Sequence, residues 1–292
     1  WRVINAAEYG YQQRRRRTFI FAYKNDLNYA VNINSIINYN HEADDELHRY
    51  SMSKLMLEEG FFAKTFPVYN VDSRKIKIEE LPQGIGELSA KFSFTFENTG
   101  VMKDGVIYTI KTTPDYNGKQ LTLGDVMDDG DVDEKYFIPK NRLYYTLPNV
   151  NHSDETHERL SKEARQTWQY LKGAKKLPRK AASGHEYIFS EGPIEMIDSY
   201  DKPARTMLTS EGGFSRTTHI VRDKKTGRIR LLTAEETERI QGFPTGHTKW
   251  CKVGDDIVEM PLNKRRFMMG NALVVDLIKD MEKILAEIVN EE

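Results

Sequence analysis

Gly10-Tyr11-Gln12-Gln13-Arg14-Arg15-Arg16-Arg17 runs directly into Thr18-Phe19-Ile20-Phe21-Ala22-Tyr23. The second stretch is apolar without a helical period, so it predicts a buried strand over 18–23. Extended backbone through the arginines places Arg15 and Arg17 on one face and Arg14 and Arg16 on the other. Taken alone, such a run reads as a solvated patch, a targeting signal or a phosphate-binding edge. Its position ahead of a buried strand, with Asn5-Ala6-Ala7-Glu8-Tyr9-Gly10 upstream, argues for a placed set of side chains.

Working outward, Phe92, Phe94 and Phe96 alternate, and Val106 to Ile110 answers them across Asp104-Gly105, a dipeptide suited to a tight hairpin. Ser153 is placed to cap a helix that carries Leu160, Ala164, Trp168 and Leu171 on one face and ends at Gly173. Thr217 to Val221 and Arg228 to Leu232 predict a second hairpin, across Lys225-Thr226-Gly227. Thr233 and Glu236 then form a capping box, with Gly242 and Pro244 as stops. The last helix is expected to open at Gly270. Leu273, Val274, Leu277, Ile278, Met281, Ile284, Leu285 and Ile288 give it one broad apolar face that something must cover.

Composition bounds the function. The 292 residues carry 39% hydrophobic and 30% charged side chains, which excludes disordered and collagen-like classes. No apolar run approaches the ~20 residues that span a bilayer, so no membrane partner is expected and the chain reads as cytoplasmic. The one cysteine, Cys251, excludes an internal disulfide framework and a cysteine-based zinc finger. His152 and His157 are five apart and share no helical face, and no metal is expected. A first residue other than Met suggests a fragment or a processed product. The net charge of −1 speaks against wholesale nucleic-acid binding, yet charge is clustered. Lys172, Lys175, Lys176, Arg179 and Lys180 form a basic stretch; Asp125, Asp128, Asp129, Asp131, Asp133 and Glu134 form an acidic one. Both read most simply as solvated loops, and only the first is suited to face a phosphate backbone.

Four blocks, in order, resemble the closing blocks of the DNA cytosine-5 methyltransferase family. They are Gln13-Arg14-Arg15-Arg16-Arg17, Pro203-Ala204-Arg205-Thr206 with Ser210-Glu211-Gly212-Gly213, Arg239-Ile240-Gln241-Gly242-Phe243-Pro244, and Gly270-Asn271-Ala272-Leu273. The likeness covers residues 1–26 and about 203–278. Gln12 stands where the family usually has Pro. The resemblance implies methyl transfer from S-adenosylmethionine to carbon 5 of a cytosine turned out of duplex DNA, as in restriction-modification. It implies Arg17 as a cationic donor at the cytosine ring carbonyl, Arg15 as its organiser, and Asn271, Ala272 and Leu273 beside the cofactor. Gln13 is implied in DNA binding.

For recognition of duplex DNA, Lys175, Lys176, Arg179 and Lys180 are expected at phosphates. His185, Glu186, Ser210 and Arg216 are expected at base edges, with Gly212-Gly213 as a mobile loop. The family's Pro-Cys nucleophile, its Glu-Asn-Val acid and its Gly-rich cofactor loop have no counterpart in family order: Cys251 follows Trp250, Glu97-Asn98-Thr99 lies downstream of the arginines, and Gly84-Ile85-Gly86 lacks a third glycine.

The resulting expectation is the C-terminal part of such an enzyme, inactive by itself and partnered by a catalytic N-terminal half in the same parent chain or a separate subunit. Its fold is expected to be α/β: an incomplete Rossmann-like catalytic domain, one strand plus returning C-terminal helices, with a mixed α+β target-recognition domain. The divisions are 1–26, 27–230 and 231–292. The alternative is a non-catalytic DNA-binding or regulatory subunit that retains the recognition domain.

Overall fold

The computed structural model describes residues 1–36, 46–70, 72–82, 84–145 and 162–292. The chain is an α/β protein with two compact units, Trp1–Leu121 together with Val274–Glu292, and Thr122–Leu273. These boundaries differ from 26/27 and 230/231. Residues 27–121 belong with the arginine strand and the terminal helix, because they complete its sheet and core.

The strands of the first unit are β1 (Arg2–Asn5), β2 (Arg16–Phe19), β3 (Val68–Tyr69), β4 (Lys77–Glu80), β5 (Thr99–Lys103), β6 (Val106–Ile110) and β7 (Thr113–Pro114). One sheet has the order β2-β1-β5-β6-β4, and every pairing in it is antiparallel. A Rossmann-like sheet needs parallel neighbours, so that expectation is corrected for the described residues. The buried strand expected over 18–23 is instead β2, at the sheet edge. Its exposure alternates, Arg17 and Phe19 facing inward, and Ile20 just beyond it is 78% exposed.

The hairpin at Asp104-Gly105 forms as expected, with φ of 50° and 82°, the two positive values a type I′ turn requires. Its first strand is β5, however, and not the Phe92–Phe96 stretch. Those rings pack on one another instead, Phe94 against Phe96 with centroids 5.4 Å apart and Phe96 against Trp1 at 5.5 Å.

Helix Val275–Glu291 is covered within its own unit. Val274, Leu277, Met281 and Ile288 join Ile4, Ala6, Tyr9 and the aromatics Phe61, Phe62 and Phe66 in one core. Only a narrower stripe of Ile278, Leu285 and Val289 stays exposed. The apolar face therefore needs no second polypeptide to cover it. Arg2, buried against the same core, donates to the carbonyls of Met56, Phe62 and Phe66 and so satisfies backbone acceptors around helix Phe61–Thr65.

Among the described residues the second unit holds three antiparallel hairpins: β8 (Lys175–Lys180) with β9 (Glu186–Glu191), β10 (Ile220–Arg222) with β11 (Ile229–Leu231), and β12 (Trp250–Val253) with β13 (Asp256–Glu259). The β10–β11 hairpin is the one predicted across Lys225-Thr226-Gly227, with Gly227 at φ 69°. Leu123, Met127, Ala204, Met207, Val221, Leu232, Ile240 and Met269 make the core.

Helix Ala234–Ile240 opens on the predicted box: Thr233 Oγ1 accepts the Glu236 N–H, and Glu236 accepts the Thr233 N–H at 2.8 Å. The helix expected after Ser153 begins outside the described residues, as do His152, His157 and Leu160. What is described is a 3-10 turn, Ala164–Gln166, and a separate helix, Trp168–Lys172, because the Thr167 hydroxyl caps Tyr170 and restarts the winding. No helix among the described residues is long and apolar enough to cross a membrane.

Candidate functional site

Gly10 sets the entry to the arginines. Its φ of 87° ends the turn Ala6–Tyr9. A Cβ there would run into the Tyr116 ring and the Lys119 carbonyl, so a side chain is excluded twice over. The chain then folds back, with Arg15 N–H donating to the Gln13 carbonyl and Ala6 N–H to the Arg15 carbonyl.

The alternation predicted for the arginines is present: Arg14 and Arg16 are exposed, Arg15 is buried and Arg17 is half-buried. Burial, and after it the charge of Arg17, bring the Arg15 guanidinium down to about 10, so it stays protonated at neutral pH. Arg17 has no carboxylate partner among the described residues; its Nη1 donates to the Arg16 carbonyl at 2.7 Å. Gln13 is fully buried, and neither its Oε1 nor its Nε2 has a hydrogen-bond partner among the described residues. An orphaned buried amide costs about 1–3 kcal/mol, which marks Gln13 as a side chain kept for something other than stability.

The Gly270 block lies elsewhere than expected. Gly270 and Asn271 close helix Leu262–Asn271; the chain then extends through Ala272, and the last helix starts only at Val275. Gly270 is required for packing, since a Cβ would strike the Leu208–Thr209 peptide. Asn271 is exposed and makes only a long 3.4 Å bond to the Phe267 carbonyl. Leu273 is exposed as well, and Ala272 is half-buried. The Asn271 amide is thus open to a polar ligand at one edge, while nothing in these three residues encloses a cofactor.

Glu97 pairs with Lys77 at 2.5 Å, and Asn98 bonds to Thr112, so the apparent acid motif is engaged in the sheet. Among the described residues no group of three or more His, Cys, Asp or Glu is placed to hold a metal.

The residues expected at DNA separate into two sets. Lys175 is buried, donates to the Leu171 carbonyl and faces Glu191 at 3.7 Å, so it is corrected to a structural cation. Lys172 is 1% exposed and lies 3.8 Å from Asp198. Arg216 is tied to Glu191 at 2.6 Å and to the Gly192 carbonyl, contacts that engage its guanidinium within the protein. Gly212, at φ 76°, sits where a Cβ would meet the Arg266 side chain, so it is packed at the turn, while Gly213 beside it is exposed. Ser210 is exposed and bonded to Ser215 and Thr217. Lys176, Arg179, Lys180, His185 and Glu186 are all exposed along or at the end of the β8–β9 hairpin.

Sequence reasoning missed the charges that hold this unit together. Arg205 donates to both Asp198 oxygens and to the carbonyls of Thr217 and Thr218. Glu211 accepts from the His219 backbone and lies 2.8 Å from its Nδ1. The signal available was the density of charge in otherwise apolar blocks, where an isolated Arg or Glu has to find a buried partner.

These contacts predict acid lability. Burial alone would raise the Asp198 and Glu238 carboxyls, but Arg205 acting on the first, and Thr248 and Arg265 on the second, outweigh it and hold both below the ordinary range. Depressed carboxyls lend stability above their unfolded values, about 4, and lose it as pH falls through the folded ones. Fluorescence of buried Trp168 is expected to report cooperative loss of the second unit only below about pH 4. A transition above pH 5 would contradict the assignment.

Comparison with known proteins shows the family. The family model for C-5 cytosine-specific DNA methylase matches residues 1–287. The Type II methyltransferase M.Sau3AI of Staphylococcus aureus is 37% identical over 279 residues, 95% of this chain and 56% of that protein. The chain therefore spans little more than half the length of this relative. The match also corrects the expectation of a likeness confined to two stretches of a C-terminal part, because the family model takes in residues 27–202 as well. The chain belongs to the C-5 cytosine-specific DNA methylase family, whose members use S-adenosylmethionine.

Proposed function

We propose that the chain serves sequence-specific transfer of a methyl group from S-adenosylmethionine to carbon 5 of a cytosine extruded from duplex DNA, in the cytoplasm and as part of restriction-modification. The observation that carries this reading is the arginine strand: a half-buried Arg17 without a carboxylate partner, beside buried Arg15 and the orphaned amide of Gln13. Arg17 donates to the ring carbonyl as charge shifts there, Arg15 holds the strand mouth cationic, and Gln13 hydrogen-bonds the nucleic acid. The exposed Asn271 amide, with Ala272 and Leu273, forms one edge of the cofactor's seat. The cofactor supplies an electrophilic methyl group.

Attack on carbon 6 needs a thiolate. The single thiol, Cys251, lies on β12, a strand exposed along most of its length, where its cross-strand neighbour is Val258. In this reading the nucleophile and the acid are supplied from outside these residues. Purified residues 1–292 are expected to transfer no methyl group to DNA, and transfer is expected once a polypeptide bearing Pro-Cys and Glu-Asn-Val is added. Activity of the chain alone, abolished by Cys251→Ser, would overturn this division. Specific DNA binding with no transfer in either mixture favours a regulatory subunit.

A further inference from the structure

Many guanidiniums of the second unit are matched by carboxylates: Arg205 by Asp198, Arg230 by Asp223 and Glu236, Arg239 by Asp128, Arg265 by Glu235 and Glu238. Among the described residues Lys176 and Arg179 have no carboxylate partner. The Arg179 guanidinium instead lies 3.6 Å from the centroid of the Phe189 ring. Lys180 makes only a loose, exposed pair with Glu186 at 3.8 Å.

The register divides the hairpin into two faces. Arg179 pairs with Tyr187 and Leu177 with Phe189 on one; Lys176 pairs with Ser190, Pro178 with Ile188, and Lys180 with Glu186 on the other. The base of the first face is fixed by Lys175 and Glu191, whereas Ile188 on the second is 63% exposed. The connection Ala181-Ala182-Ser183-Gly184-His185 is small, with Gly184 at φ 87° and the Ala181 N–H bonded to the His185 carbonyl.

A two-stranded ribbon of this kind fits the major groove of B-form DNA, about 12 Å wide. Stacking on an aromatic ring fixes the plane of a guanidinium and leaves its edge donors free. Those donors match the O6 and N7 acceptors of guanine, the pairing that arginine makes best in that groove.

We propose that the β8–β9 ribbon enters the major groove of the target duplex, with Arg179 reading a guanine edge from its seat on Phe189 and Lys176 holding phosphate. This rests on the reading of the chain as a DNA methylase. It reassigns Arg179 from phosphate to base. Positive charge alone does not distinguish these roles, but the ring beneath Arg179 does.

The test is selection of bound duplexes from a randomised pool by the protein in its active form, with substitutions at three positions. The unsubstituted protein is expected to enrich one sequence containing guanine. Arg179→Lys, which keeps the charge and loses the fork, should reduce preference at one guanine by about tenfold or more and leave the other positions unchanged. Phe189→Leu should lower the same preference. Lys176→Ala should weaken binding to all sequences alike and flatten the salt dependence. Unchanged ranking for both Arg179→Lys and Phe189→Leu, beside normal enrichment by the unsubstituted protein, overturns the ribbon assignment alone. Enrichment of no sequence by the unsubstituted protein overturns the DNA-methylase reading with it.

Discussion

Arg230→Ala is expected to destabilise the second unit by about 3–5 kcal/mol, the cost of leaving a buried charge without its partner. Arg230 has no exposed surface; its Nε donates to Asp223 at 3.0 Å and its two terminal nitrogens to Glu236 at 2.7 and 2.8 Å. Glu236 also accepts the backbone N–H groups of Thr233 and Asp128, so one carboxylate joins the capping box, the β11 arginine and the acidic segment. With the guanidinium gone, two carboxylates remain in a site that excludes water. For a slope of about 2 kcal/mol/M the urea midpoint of Trp168 fluorescence should fall by about 2 M.

The variant should also lose less stability at low pH than at neutral pH, since Asp223, whose carboxyl is held below its usual range against burial by hydrogen bonds from Thr226 and the Arg230 guanidinium, leaves less uncompensated charge once protonated. Combining Arg230→Met with Asp223→Asn and Glu236→Gln should recover most of the loss, because polar amides and a similar volume replace the ions. A loss below about 1 kcal/mol in the single variant, a magnitude typical of exposed pairs, shows that the network is solvated and that the packing of Leu232 and Ile240 carries the unit alone.

Arg230 also shows where sequence stops being legible. The capping box was readable because Thr233 and Glu236 are three apart and act within one helical turn. Likewise Asp104-Gly105 and Lys225-Thr226-Gly227 announced their turns, because positive φ selects residue type locally. The second function of Glu236, as partner of a residue six positions earlier across a strand, has no such local signature.

The same limit explains the misplaced Gly270. A glycine at the edge of an amphipathic pattern reads as a helix start, and only the approach of the Leu208–Thr209 peptide shows that it ends one. In the basic stretch, Lys175 and Arg179 look alike in sequence and share one face of the hairpin, and their place along it separates them: Lys175 at the base is buried, Arg179 further out lies on an aromatic ring. The arginine strand succeeded because its alternation is a period-two property, which an edge strand expresses as faithfully as a buried one.

Arg17→Ala is expected to slow methyl transfer by about 100-fold or more while leaving DNA binding within a few-fold, in a protein that carries these residues together with the nucleophilic thiol. Arg17 sits on β2 opposite Ile4, half-buried, with its Nη1 on a neighbouring carbonyl and, among the described residues, no carboxylate to neutralise it. Next to it in the alternation, Arg15 is held to about 10 by burial and by Arg17 itself, so the pair concentrates positive charge where water is scarce. Such a donor contributes little to holding a neutral base in the ground state, because the interaction strengthens only as charge develops on the ring carbonyl.

Arg17→Lys, which keeps the charge but loses the fork, should fall between the two. Single-turnover transfer rates beside equilibrium binding to the same duplex separate the alternatives. If binding collapses and the rate at saturating DNA is unchanged, Arg17 is a phosphate contact, and the charge-stabilising role passes to a residue outside this strand.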